Sequence, residues 1–301
     1  MGGNTSKEAG TGTGPTPIPG SGPPAALPIK ASLLELTFQP AFDYDKDGCY
    51  PTPGIGVDGR IAPGLPLDGT ISSGCRDEPR LADTNSYSRY KCNGSWCGII
   101  YTLYFEKDQV SWGPGSGGHR HDWEHIGVWV RITPPDNTDD GGGDDGELRK
   151  RATPMKSTIE YVSTSNHGSF TVHPRSALHW DDPGTETHAK VVYHKDGAST
   201  HCFRNSHDND EPPENHRHVW QYPDLVGWDD GYPPGLRERI SAADYGKGNF
   251  GVKDDRFVPN LEKSMPEEVS KEFDANGDDL VWTPEGLLAV PKGEPAGHDE
   301  L

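Results

Sequence analysis

A chain of 301 residues has room for one large domain or two small ones. Its formal charge of −19 excludes a nucleic-acid binder that works by phosphate contacts and argues against simple adsorption to anionic lipid. No apolar run reaches the ~18 residues a membrane-spanning helix needs. Any membrane target would therefore be recognised by a specific headgroup, with a divalent cation bridging two negative partners.

Residues 1–30 are Gly, Pro, Thr and Ser with almost no apolar content, and read as a disordered tail. Met1-Gly2-Gly3-Asn4-Thr5-Ser6 fits an N-myristoylation pattern, or simply a start codon followed by small residues. No apolar h-region follows, so no signal peptide is read there. Asp43-x-Asp45-x-Asp47-Gly48 opens like a calcium loop. Its twelfth position is Gly54, where an EF-hand needs a bidentate Glu, so the alternatives are a weaker second calcium site on Asp43, Asp45 and Asp47 or an acidic turn.

Cys49 and Cys75 bracket a Gly/Pro-rich stretch that a disulfide would staple. Cys92 and Cys97 flank the turn-like Asn93-Gly94-Ser95-Trp96 and suit a disulfide-closed hairpin. Cys202 is left over. The alternative is five buried thiols in a cytosolic protein; no spacing here matches a CxxC zinc pattern.

Ile99–Phe105, His125–Ile132, Thr158–Ser163 and His188–Tyr193 read as strands, rich in Val, Ile, Tyr and Trp. Between the second and third lies an acidic, solvated loop over 134–147. Helices are expected over Pro234–Ala243 and Pro266–Phe273, each with proline near its start. The pattern predicts a mainly β, α+β chain: one β-sandwich domain over 31–290 with peripheral helices. Residues 291–301 form a flexible tail whose ending, His298-Asp299-Glu300-Leu301, matches an ER-retrieval signal.

The densest chemistry is Gly118-His119-Arg120-His121-Asp122-Trp123-Glu124. Gly113 to Gly118 leads in, and an alternating strand leads out. In an extended segment His119, His121 and Trp123 share one face and Arg120, Asp122 and Glu124 the other. Only a break in the backbone before the strand can bring His119, Asp122 and Glu124 together, and the glycines make one cheap. Hard oxygen donors with one imidazole suit Ca²⁺ or Mg²⁺, and extend to Mn²⁺. The competing reading is a salt-bridge cluster of Arg120 with the carboxylates.

This heptapeptide resembles the signature of the necrosis- and ethylene-inducing peptide-like proteins, a family of cytolysins. Further blocks stand in the family order: Phe42–Pro51, Gly98–Gln109 with its Lys107-Asp108 pair, Asn166-His167-Gly168, Lys190–Tyr193, Gln221–Trp228, Asp244–Phe250 and Phe257–Lys263. Together they span Ser32 to Ser264. The resemblance implies a β-sandwich, a secreted non-enzymatic toxin and a Cys49–Cys75 disulfide. It implies a divalent cation held by Asp108, His119, Asp122 and Glu124, with Arg120, His121 and Trp123 supporting the motif. It also places His201 beside the cavity as a lipid-headgroup contact. The implied activity is binding of a plant-type glycosylated sphingolipid at the outer membrane surface, followed by permeabilisation, by a monomer.

Three departures from the family pattern bear on potency and target choice. Gly197 stands where many relatives carry a Trp, Glu106 where they carry Pro, and Val110–Gly117 lengthens the connection from Asp108 to His119. A non-cytotoxic relative that binds a surface or is sensed by host immunity is therefore the second reading. A cupin-like metal enzyme acting on a small sugar is the third. Cupins also use HxH and an acid, but here only two residues separate His121 from Glu124 where that pattern needs three or four, and no HExxH string occurs.

Overall fold

Strand β3 (Trp96–Gln109) is buried along its whole length. Its alternate side chains feed two different clusters: Ile99, Tyr101, Leu103 and Phe105 on one face, Trp96, Ile100 and Tyr104 on the other. A strand apolar at both parities must lie between two covered faces. That requirement sets the layers of this computed structural model, which describes residues 22–113, 117–133, 155–283 and 286–289.

Around β3 run β1 (Ala41–Tyr44), β2 (Asn85–Asn93), β4 (Gly118–Thr133), β5 (Lys156–Asn166), β6 (Ser169–Pro174), β7 (Lys190–Lys195), β8 (His201–Asn205) and β9 (Asp224–Gly227). The large sheet has the order β6-β5-β4-β3-β2-β9, antiparallel except for the parallel β2–β9 pair. A three-stranded sheet, β1-β7-β8, covers one of its faces. The core between them includes Phe42, Phe105, Ile126, Val128, Tyr193 and Phe203. The opposite face is covered by α2 (Leu236–Ala242), α3 (Asp254–Ser264) and long loops, which bury Trp123, Trp129, Phe250, Phe257 and Leu261. The expected β-sandwich with peripheral helices is thus the architecture found. A short helix α1 (Leu33–Thr37) is closed by a reciprocal cap between Ser32 and Glu35, and a hairpin of β10 (Leu280–Thr283) with β11 (Gly286–Ala289) ends the described chain.

Both expected disulfides are present, Cys49–Cys75 and Cys92–Cys97, and Cys202 is the free thiol. The four expected strands exist, each extended beyond its apolar stretch by backbone pairing of polar residues. The helix expected over Pro266–Phe273 reduces to one 3-10 turn, Val269–Lys271, because the segment is pinned by Val269 and Phe273 in the core and turns at Asp274. Helix α3 was hidden by Pro259 in its interior; the Phe257/Leu261 spacing buries one stripe and overrides the proline penalty. Residues 22–30 are not tail. Leu27 is fully buried, its N–H donates to Asn85 Oδ1 at 2.8 Å, and Lys30 N–H donates to Leu225 O at 2.9 Å. The acidic loop over 134–147, the first residues with their myristoylation-like pattern and the HDEL ending lie outside the described residues.

Candidate metal centre

The β3–β4 ladder runs in register from Trp96–Arg131 to Gln109–Gly118, except that Glu106 and His121 do not pair. His121 sits at φ 62°, a conformation uncommon outside glycine. Across this point the alternation slips by one residue. Phe105 stacks on Tyr193 of β7, and Asp108, three residues later, bonds His201 of β8; strict alternation would send them to opposite faces. Partners in an antiparallel ladder share a face, so Asp122 opposite Phe105 and His119 opposite Asp108 both join the β7–β8 side. The break that the heptapeptide required is therefore inside it, at His121, and not in the glycine approach. Gly118 serves the site in another way. At φ 123° it lies so close to the Asp108 carbonyl that a Cβ would collide with it.

Donor atoms of Asp108, His119 and Asp122 lie within 4.8 Å of one another. The His119 Nδ1–H donates to the His121 carbonyl at 3.0 Å, because a carbonyl can only accept, and Nε2 keeps its lone pair for a ligand. Asp108 accepts from His201 twice, from the backbone N–H at 2.9 Å and from Nδ1 at 2.7 Å. Tyr193 donates its hydroxyl to Asp122 Oδ2 at 3.2 Å. Glu124 stands on the cavity wall beside this trio, and its Oε2 accepts from Ser165 Oγ. The structure thus assembles three of the four expected ligands into one donor set and holds the fourth beside it. The lengthened Val110–Gly117 connection leaves Asp108 in place.

Burial of neighbouring carboxyls governs the electrostatics of this cluster. Burial, then the neighbouring Asp108 charge, pushes the Asp122 carboxyl well above the usual range. Burial and then Asp122 push Glu124 up as well, against the Ser165 hydrogen bond. For His201, burial opposes the charge, but the bond to Asp108 and the attraction of Asp47 outweigh it and raise the imidazole to about 9. Its Nε2 is 3.8 Å from Asp47, close enough for charge attraction but too far for a hydrogen bond, and has no hydrogen-bond partner. Carboxyls buried and crowded in this way resist ionisation, and a nearby positive charge would favour it. The donor chemistry fits a hard ion with one imidazole.

A cavity of about 210 Å³ opens over this floor, walled by His119, Asp122, Glu124, Asn249, Lys247 and Lys263. The two lysines and Asn249 come from the 244–250 block and from α3, whose place beside β4 no local pattern reveals. Ser165 and Tyr193 were equally unmarked as partners of the carboxylates; Tyr193 ended a block shared with the family, and nothing local distinguished Ser165.

Other expected residues have different roles. His201, expected beside the cavity, is 2% exposed and locked to Asp108, so it positions that carboxylate. Trp123 is core, edge-on to Tyr87 and Tyr245. His121 bonds Tyr104 Oη at 2.6 Å, and Arg120 donates to the Gly64 carbonyl at 3.1 Å, away from the carboxylates. No ion pair joins Arg120 to them among the described residues. Glu106, the non-proline, pairs with Arg80 at 2.5 Å. Asp43, Asp45 and Asp47 do not form one donor set. Asp43 is saturated by Glu214 N–H and by Asn215, Asp45 lies 3.7 Å from Arg204, and Asp47 faces His201. The acidic turn, not a calcium loop, is what folds.

A family model described as "Necrosis inducing protein (NPP1)" matches residues 32–264. The chain belongs to the necrosis-inducing protein family. Within it, NLP effector protein 10 of Phytophthora capsici is 31% identical over 79% of this chain and 86% of its own length. The necrosis-inducing protein NPP1 of Phytophthora nicotianae is 28% identical over 71% and 75% respectively. Two solved structures share the fold at TM-score 0.60. NLPPya in complex with mannosamine is 22% identical over 81% of this chain and 97% of that one. The non-toxic HaNLP3 protein is 23% identical over 82% and 98%. The family is one of necrosis-inducing effectors, not of enzymes.

Proposed function

We propose that this necrosis-inducing protein is a secreted, cation-dependent cytolysin that binds the sugar headgroup of a plant glycosylated sphingolipid and permeabilises the plasma membrane. The observation that carries the reading is the Asp108–His119–Asp122 cluster, of which His119 and Asp122 line a cavity walled also by Glu124 and two lysines. A bound Ca²⁺, Mg²⁺ or Mn²⁺ supplies Lewis acidity toward sugar hydroxyls, which are hard oxygen donors. Asp108, His119 and Asp122 would hold it. His201 fixes Asp108, Tyr193 fixes Asp122, and Ser165 fixes Glu124. Lys247, Lys263 and Asn249 supply donors to headgroup oxygens. A complex with mannosamine in NLPPya supports sugar recognition by this fold. Two disulfides agree with an oxidising, extracellular destination, and the protein acts as a monomer under this reading.

Dye release from plant plasma-membrane vesicles tests it. Release is expected to stop with chelator, return with Ca²⁺ or Mg²⁺, and be absent for Asp122→Ala. Lysis that persists in either condition removes the cation from the mechanism. The second reading, a non-cytotoxic family member, is favoured by Gly197 at the tip of the β7–β8 turn, and the shared fold of HaNLP3 shows that this architecture does not by itself confer toxicity. A folded, cation-loaded protein that releases no dye is the outcome that selects it.

A further inference from the structure

We propose that His167, Asp196 and Cys202 form a second metal site, selective for an ion of the zinc class, at the rim of the same cavity. Their donor atoms lie within 4.8 Å of one another. Three separate elements deliver them. His167 sits in the turn joining β5 to β6, at φ 49°, followed by Gly168 at φ 87°. Asp196 opens the β7–β8 turn, fixed by hydrogen bonds from its own N–H to the Thr200 carbonyl at 3.1 Å and from Ser199 N–H to its carbonyl at 2.8 Å. Cys202 comes from β8 and is 1% exposed, whereas His167 and Asp196 are open to solvent.

The donor set is one imidazole, one carboxylate and one sulfur. Hard ions such as Ca²⁺ and Mg²⁺ are not held by thiolate, whereas zinc takes N, O and S together, commonly with a water in an open fourth position. Bonds of about 2.0–2.3 Å around a tetrahedral ion put neighbouring donors about 3.2–3.8 Å apart. His167 Nε2 and Asp196 Oδ2 are 3.1 Å apart, already close to such an edge. Thr200 Oγ1 lies 3.1 Å from His167 Nδ1 and sets the ring, which is the outer-shell hydrogen bond that ligating histidines use. On binding, the S–H bond of Cys202 is exchanged for a metal–sulfur bond. The proton passes to His194 Nε2, 3.6 Å from the sulfur, and on to solvent. The ion would tie the β5–β6 turn to the β7–β8 turn, both beside the cavity mouth, since His167 and Thr200 line the same cavity as His119 and Asp122.

The cysteine arithmetic makes the proposal testable without membranes. Four of the five cysteines are in disulfides, so a thiolate–metal signature can come only from Cys202. Co²⁺ is added to the full chain in excess Mg²⁺, which fills the oxygen-rich site. A sulfur-to-cobalt charge-transfer absorption that Zn²⁺ abolishes at one equivalent is expected. Asp122→Asn retains the absorption; Cys202→Ser and His167→Ala lose it and weaken Zn²⁺ by more than about a hundredfold, beyond what loss of an outer-shell group does. Thr200→Val weakens it roughly tenfold. Absence of the absorption in the parent protein, or zinc binding unchanged in His167→Ala, overturns the proposal and leaves an ordinary His167–Asp196 ion pair. His167 is exposed, so that variant keeps the test valid if Cys202→Ser does not fold.

Discussion

The two ends of the β3–β4 pair make opposite uses of one ladder. From Trp96 to Phe105, and from Ile126 to Ile132, alternation is regular and both faces are largely apolar and covered. From Glu106 to Gln109, and from Gly118 to Asp122, the same strands slip at an unpaired Glu106–His121 position and bury Asp108 and Asp122 with no Lys or Arg partner among the described residues. The first region stabilises the fold. The second is held together by the first and spends stability on a cluster of like charges, which is where binding sites depart from local consistency.

Three changes separate these roles, from the largest effect on stability to the smallest. Trp129→Ala, in the regular region, removes a fully buried indole packed edge-on against Phe273, and with it one of the two hydrogen bonds to the Ser264 carbonyl, which keeps the one from Ser163 Oγ. A loss of about 3–5 kcal/mol is expected in urea unfolding, with cation affinity unchanged in the molecules that remain folded. A loss below about 1 kcal/mol would mean that this end does not carry the fold.

Gly118→Ala, at the irregular end, forces a Cβ into the Asp108 carbonyl at a backbone angle few side chains adopt. It should cost about 1–3 kcal/mol and shift Asp108 away from His119, so calorimetric titration should show weaker Ca²⁺ or Mg²⁺ binding. Unaltered cation affinity in a folded variant would show that the approach to the heptapeptide does not set the site.

Asp122→Asn should not lower stability at all in chelator, because it removes one of the mutually repelling buried carboxylates. Adding Ca²⁺ at about a hundred times its Kd should stabilise the parent by about 2.7 kcal/mol and leave the variant unmoved. A variant markedly less stable than its parent in chelator would reclassify Asp122 as structural.

The comparison also explains what could be read in advance. The sandwich was legible because β3 and β4 carry long apolar stretches, and burial follows from transfer free energy, which is local to each residue. Helix α3 was not, since Pro259 speaks against a helix locally while Phe257 and Leu261 only matter once the sheet face is there to cover. Asp108, His119 and Asp122 were named because the family resemblance implied them, with the oxygen-rich residue types of the heptapeptide in agreement. That His201 serves Asp108 from β8 while Glu124 is held by Ser165 from β5 depends on contacts across 93 and 41 residues.

Residue pattern alone was enough for the layer architecture, the two disulfide pairs and the family. The folded chain was needed to show that the strand breaks at His121, that His201 is a buried brace, that the Asp43–Asp47 turn disperses its carboxylates, and that Cys202 meets His167 and Asp196. The reason is physical. Hydrophobic pattern and turn chemistry act over a few residues, whereas the direction of a buried polar side chain is set by whichever partner the completed fold brings within hydrogen-bond distance.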